Sequence, residues 1–351
     1  MRPAYPVNLE INQDLIYLIE ALKVEGYWSI KHKEGSIQNK NLPFLRNIER
    51  ISKNIGLNTT KRILVKIKMP DDLCKENINV FHQNKKLKFH IEMSPFNKNK
   101  KKIVFTIPYQ KSYELILKIN GNIVPIKLYE GEEEFHFNSN IKCWAYLEIR
   151  FWNANFIRFL DNHFNKKDLR INFKFLLNKK EFLINALSAI IDSEGSIDYY
   201  QHYRRISITM KPKKYIEDLK KLLTILGVHS HIYYDKSNKC SNYKLSFSGW
   251  NNFDILLKSG LCLRQSKKYQ KLKTIMKTYK RKQISRNKAQ KHYVEKLKEI
   301  NKPIKAKEFS EYLCKSKRVV NHYLTKLMKK GMINVDKTNV AYLYSYKEEF
   351  S

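Results

Sequence analysis

Two stretches of this chain share one order of apolar and polar positions. The first is Leu15-Ile-Tyr-Leu-Ile-Glu-Ala-Leu-Lys-Val-Glu-Gly26, an apolar run that ends in an acid and a glycine. The second is Leu187-Ser-Ala-Ile-Ile-Asp-Ser-Glu-Gly195, which ends the same way. Their density of apolar residues predicts buried helices, and the segments behind them, Tyr27-Trp-Ser-Ile-Lys31 and Ser196-Ile-Asp-Tyr-Tyr200, predict strands. A further helix is predicted over Phe44–Ile55, with Leu45, Ile48, Ile51 and Ile55 at helical spacing and Gly56 as its stop. Its counterpart is Tyr215–Leu226, stopped by Gly227. Strand signals follow each, at Arg62–Lys68 and at His229–Tyr234. Later, Tyr146–Phe156 and Tyr243–Phe253 both read as a strand, a Trp-Asn turn and an apolar helix. Landmarks recurring in the same order indicate an internal duplication.

The copies differ in length. Residues 70–143 of the first have no counterpart in the second and are rich in strand-like runs: Lys86–Met93, Lys102–Pro108, Glu114–Ile119 and Ile123–Tyr129. Asn120-Gly121 predicts a tight hairpin between the last two. A β-rich insertion is therefore expected there, with an acidic run, Glu130-Gly-Glu-Glu-Glu-Phe135, that makes it less suited to a polyanion than the rest. Beyond a lysine-rich stretch the pattern changes again. Helices are predicted at His292–Ile300, Ala306–Leu313 and Lys317–Lys330, then a hairpin from Met332–Val335 and Val340–Tyr344. Three helices and a hairpin resemble a winged helix, with Val319, Val320, Tyr323, Leu324, Leu327 and Met328 on the buried face of its last helix. Lys317, Arg318, Asn321, His322 and Lys326 point elsewhere, where such a helix enters a major groove. The expected boundaries are 8–69 with 144–175 for the first repeat, 70–143 for the insertion, 176–280 for the second repeat, 281–291 for a basic linker and 292–351 for the winged helix.

Composition narrows the partner. Across 351 residues, 68 Lys and Arg face 33 Asp and Glu, for a formal charge of +35. Such a field favours a polyanion, with nucleic acid ahead of an anionic membrane because no amphipathic anchor or lipidation signal is present. The five cysteines are scattered without a Cys-x-x-Cys pair, which argues against a zinc ribbon or a disulfide framework. No apolar leader follows Met1, so a free-standing, soluble, cytoplasmic protein is expected, nucleoid-associated in a prokaryote.

A carboxylate at the C-terminal end of a buried helix is disfavoured by the helix dipole unless a cation sits beside it. Glu25 and Glu194 both stand there. The two motifs resemble those of the LAGLIDADG (DOD-type) homing endonucleases, closely at Leu187–Gly195 and in weaker form at Leu18–Gly26. The resemblance covers roughly residues 10–280 without the insertion. It implies an α+β fold of two αββαββα-type halves, a pseudo-dimer within one monomeric chain. Its motif helices would pair at a pseudo-twofold axis, and two sheets would straddle duplex DNA. It further implies a site-specific, Mg²⁺-dependent double-strand endonuclease, with Glu25 and Glu194 as metal-binding acids each serving one strand. It places a basic residue ahead of the closing helix, where Lys268 is the first choice and Lys267 the second. DNA contacts are expected from Lys31, Lys33, Gln201, Tyr203, Arg205 and Lys211, with Tyr199 to Arg205 read as one alternating strand.

The first motif departs from the family pattern. Small residues bring paired helices close, and the second motif supplies Ser188, Ala189 and Ser193; Ile19, Glu20 and Val24 occupy the matching places. Glu20 sits where the family usually has Gly or Ala; a helix pushed outward there would separate the acids and weaken metal binding, and Lys23 stands at the place of Asp192. Two other readings therefore stand beside the nuclease: a catalytically inactive DNA-binding regulator of the WhiA type, and a maturase acting on RNA.

Overall fold

A computed structural model of the chain describes residues 7–69, 78–94, 97–164, 170–200, 203–235, 242–277, 286–313, 315, 317–337 and 342–347. The fold is mixed α+β. By internal contacts it divides into two compact units, residues 1–248 with 255–272 and residues 249–254 with 273–351.

The larger unit is organised by two helices. α1 (Gln13–Glu25) begins at Asn12, whose side chain accepts the Leu15 amide, a cap that holds one otherwise unpaired N–H. It is buried at nine consecutive positions from Leu15 to Lys23. α5 (Lys180–Glu194) is buried from Phe182 to Ser193 save only Asn185. Helices buried all round belong inside a core, and these two pack on each other.

Both helices turn directly into strands, β1 (Gly26–Ser29) and β12 (Gly195–Tyr200). The glycines are there for space. A Cβ on Gly26 would lie 2.7 Å from the Leu22 backbone, and one on Gly195 would lie 2.6 Å from the Ile191 carbonyl oxygen.

In the first half, β2 (Glu34–Asn39), α2 (Leu42–Asn54) and β3 (Asn58–Lys68) follow β1. β4 (Ile78–His82), β5 (Lys85–Lys86), β6 (His90–Ser94), β7 (Asn97–Pro108), β8 (Ser112–Ile119), β9 (Asn122–Glu130) and β10 (Phe135–Asn138) come next. β11 (Cys143–Trp152), α3 (Ala154–His163) and α4 (Phe173–Leu176) close the half. A six-stranded antiparallel sheet has the order β1-β2-β11-β3-β7-β6, and a five-stranded one the order β10-β9-β8-β4-β5. The stretch read as insertion thus contributes to both. Only part of it forms a separate sheet, because β7 is long enough to pair with β3 from Lys68↔Lys102 to Arg62↔Pro108. The expected hairpin is present: Asn120 (φ 48°) and Gly121 (φ 82°) link β8 to β9. The acidic run ties the insertion to the core. Arg46 pairs with Glu130 at 2.7 Å, the Glu133 carbonyl accepts the Leu42 amide, and the Glu133 carboxylate accepts from Asn41 and from the Ser266 hydroxyl.

In the second half, β13 (Tyr203–Met210), α6 (Lys213–Ile225), β14 (His231–Asp235) and β15 (Asn242–Ser248) follow β12. The sheet order is β12-β13-β15-β14. Residues 199–205 are not one strand. Tyr200 pairs with Tyr203 across a hairpin, so the chain reverses between them. Tyr199 and Arg205 consequently lie on opposite faces of the sheet, because the parity of side chains changes at the turn. α7 (Trp250–Lys258) and α8 (Ser266–Lys277) complete the half.

The smaller unit contains α9 (Arg286–Ile300), β16 (Ile304–Lys305), α10 (Ala306–Tyr312), α11 (Lys317–Lys329), β17 (Ile333–Asp336) and β18 (Leu343–Tyr346). Its core gathers Tyr293, Leu297, Ile304, Phe309, Val320, Leu324, Leu327, Ile333 and Tyr344. β16 makes the sheet three-stranded, in the order β16-β18-β17; two residues are too short a run to show alternation in the sequence. Val319, expected to be buried, is exposed.

The glycine exits make a direct prediction. Gly195→Ala should lower stability by about 1–3 kcal/mol through overpacking against the preceding turn, read as a reduced urea midpoint.

Candidate active site at the ends of the paired helices

The motif helices bring Glu25 and Glu194 to one end of their pair, and Lys268 joins them from α8. Lys268 is the cation that the helix end calls for. Its Nζ donates to the Ile191 and Asp192 carbonyl oxygens, at 2.8 and 2.7 Å. Burial lowers its pKa, and the charges of Asp192, Glu25 and Glu194 oppose that shift. Lys267, the second choice, is exposed.

The two acids differ in surroundings. Glu25 is half-buried and accepts from the Asn39 amide at 2.7 Å. Burial pushes its pKa up to about 7; the Asn39 hydrogen bond works against this, the Glu194 charge adds to it, and Lys268 lowers it. Glu194 is the more exposed of the two. Partial enclosure of its carboxyl raises its pKa, and Lys268 again opposes the rise.

The helix contact survives the large residues of the first motif. Glu20 is 2% exposed, and its carboxylate accepts from Lys23 at 2.9 Å and from the Tyr215 hydroxyl at 3.1 Å. The side chain is received by partners of its own, and α1 and α5 pack on each other.

Lys23 and Asp192 occupy matched places with opposite charge. Asp192, fully buried, accepts from the backbone amides of Arg264 and Gln265 at 2.7 and 3.1 Å and from the Tyr17 hydroxyl of α1 at 2.7 Å. Lys23 donates instead to the Arg170 carbonyl at 2.7 Å. Each charge thus holds the segment after α3 or α7 against its motif helix, one through carbonyl groups and the other through amides. Burial raises the Asp192 pKa, against the Arg264 amide, Tyr17, the Gln265 amide and Lys268.

The remaining sequence-picked residues are spread over three surfaces. Lys31 and Lys33 are exposed in the turn between β1 and β2. Arg205 lies on the outer face of β13, paired with Asp198 at 2.7 Å, and Lys211 is exposed just beyond that strand. Gln201 falls outside the described residues, as does the side chain of Tyr203. In the smaller unit Lys317, Arg318, Asn321, His322 and Lys326 are all exposed on α11. Arg318, Val319, His322 and Lys326 line an open cleft of about 500 Å³ with Gln290. Sequence reading missed Asn39 and the Glu20–Lys23–Tyr215 cluster. The charge exchange at Lys23 was visible, but its partners lie 147 and 192 residues away.

No group of three or more metal-binding side chains occurs among the described residues. Two carboxylates fit a hard cation that keeps water and takes phosphate oxygens as its other ligands, which is the habit of Mg²⁺.

Two outcomes test this geometry. Lys23→Met leaves the Glu20 carboxylate buried without its cation and should cost about 3–5 kcal/mol in chemical denaturation, while adding Glu20→Met should recover most of the loss. For Glu25, a folded pKa near 7 above the usual 4.5 means that its stability contribution is complete below about pH 4.5 and lost as pH rises to 7. The stability of the natural protein relative to Glu25→Gln should therefore decline across that window, in urea titrations from pH 4 to 8.

Comparison with known proteins gives a match over residues 181–298 to the model described as LAGLIDADG-like domain. No curated protein sequence matches the chain. Among solved structures, full-length DUF199/WhiA from Thermatoga maritima is 10% identical, with a TM-score of 0.39, covering 91% of this chain and 92% of its own. I-DmoI in complex with DNA and Mn is 11% identical, with a TM-score of 0.36, covering 72% of this chain and 98% of its own. The stretch matched by the LAGLIDADG-like domain model carries nearly all of α5 together with Glu194 and Lys268.

Proposed function

We propose that the protein is a site-specific, metal-dependent endonuclease acting on double-stranded DNA. The observation that carries the reading is the convergence of Glu25 and Glu194 at the ends of two paired helices, with their charges coupled and Lys268 between α8 and α5. Two like charges at two negative helix poles form a strong local demand for cations. Glu25 and Glu194 would hold Mg²⁺, which when bound supplies an activated water and charge neutralisation at a phosphodiester. Asn39 orients the Glu25 carboxylate through the amide bond at 2.7 Å. Lys268, already lowered in pKa by burial, stabilises negative charge developing on the phosphate. The net charge of +35 supplies attraction to the substrate. The basic face of α11 adds contacts as the recognition helix of a winged-helix module. The chain acts as a monomer, since both motif helices are its own.

A second reading has its own observation. Lys268 already satisfies two carbonyl groups at the end of α5 and partly neutralises both acids, an arrangement that can serve structure alone. The protein is then a DNA-binding regulator without cleavage. RNA as the natural substrate, in a maturase role, remains the third reading, tested by offering intron RNA as competitor.

Cleavage of DNA carrying the native flanking locus should require Mg²⁺, stop with EDTA and be abolished by Glu194→Gln. Tight binding with no cleavage selects the regulator. Independently of activity, millimolar Mg²⁺ should raise the melting temperature at pH 7.5 for the natural protein but not for a Glu25→Gln, Glu194→Gln double variant. An equal rise in both removes the acids as metal ligands.

A further inference from the structure

The first-half sheet carries aromatic residues on the side that has no core to bury them. β11 is an interior strand of the six-stranded sheet. Its inward positions, Ala145, Leu147, Ile149 and Phe151, are buried in the core. Its outward positions are Trp144, Tyr146, Glu148, Arg150 and Trp152, and the three aromatic residues among them are half-buried. Cations gather over the rings. Lys102 and Lys142 place their Nζ atoms 5.0 and 5.5 Å from the Trp144 ring. Lys40 and Lys66 stand 5.4 and 5.9 Å from Tyr146, and Arg150 stands 5.4 Å from Trp152. Acids on the same face are engaged: Glu34 takes Arg150 and the Trp152 Nε1–H, Glu92 takes Lys66, and Glu148 accepts from Gln38.

The fold does not require this. β15, the strand in the matching place of the second half, turns Lys244, Ser246 and Ser248 outward, in register with Thr209, Ser207 and Arg205 of β13. Across these six positions the outer face carries four hydroxyl groups, two cations and no ring, with Tyr233 of the edge strand β14 in register with Lys244. The rings of β11 have a use of their own.

We propose that this face is a stacking platform for unpaired bases, and that its ligand is single-stranded nucleic acid. Base–aromatic stacking on a sheet, with lysines neutralising the phosphates beside it, is tolerant of sequence because every base has a flat face. A duplex hides those faces within its own stack. It can engage the lysines, but it cannot use the rings. Trp144 and Tyr146, set two residues apart on one strand, present successive rings in one direction, as successive bases require. The proposal rests on nucleic acid as the partner, and it is independent of cleavage.

The test uses the full chain and oligonucleotides of about 12 nucleotides carrying 2-aminopurine, a length within the usual site size. DNA and RNA single strands and the matching DNA duplex are compared at one salt concentration. The natural protein should quench 2-aminopurine in a single strand. Trp144→Leu with Tyr146→Leu should weaken single-strand binding about tenfold or more and leave duplex binding within about twofold. Trp144→Phe with Tyr146→Phe should restore most of the loss, which separates stacking from folding. Lys66→Ala should weaken both forms. Absence of quenching by the natural protein overturns the proposal even if the leucine variant fails to fold. An equal loss for single strand and duplex also overturns it. Binding to duplex alone removes this proposal and leaves the proposed function standing; binding to neither removes both.

Discussion

The contact between α1 and α5 sets almost everything else. Each helix is enclosed on all sides, so neither can form its faces against water, and each needs the other as part of its core. The two lie side by side with Glu25 and Glu194 at the same end, so their dipoles add there. The glycine exits then follow from crowding, since the strands must leave at once from a helix end with no room for a Cβ. The lysine follows from charge, because the last-turn carbonyls of α5 and two carboxylates together create a negative pole that Lys268 answers.

The halves share a plan but not its chemistry. Asp192 grips the amides of Arg264 and Gln265, and Lys23 grips the carbonyl of Arg170. A buried aspartate and a buried lysine at one matched place hold comparable segments by opposite ends of the peptide group. The freed Glu20 is not a defect in the first helix, because Lys23 and Tyr215 enclose it. The outer faces diverge likewise, with three rings and Arg150 on β11, and hydroxyl groups with Arg205 and Lys244 on β13 and β15.

Much of this was legible in the sequence, and the reasons are local. The motif helices are long apolar runs with an acid and a glycine at the end, and the β8–β9 hairpin carries Asn-Gly at its turn. What failed depended on distance or parity. One reversal between Tyr200 and Tyr203 changed which residues share a face. β16 is too short to show a pattern. The acids of 130–134 looked like a repellent surface, but Glu130 and Glu133 are spent on Arg46 and on the starts of α2 and α8. At Glu20 steric size was visible in the sequence and the partners enclosing it were not.

The Tyr17 hydroxyl, in donating a hydrogen bond to Asp192, also distinguishes the two halves as partners. In an assembly of two first halves, that hydroxyl would meet the ammonium of Lys23 in place of a carboxylate and could only accept from it. In an assembly of two second halves, Asp192 would meet Ala186 and lose its tyrosine. The Tyr17–Asp192 hydrogen bond is therefore a contact that neither half could make with a copy of itself.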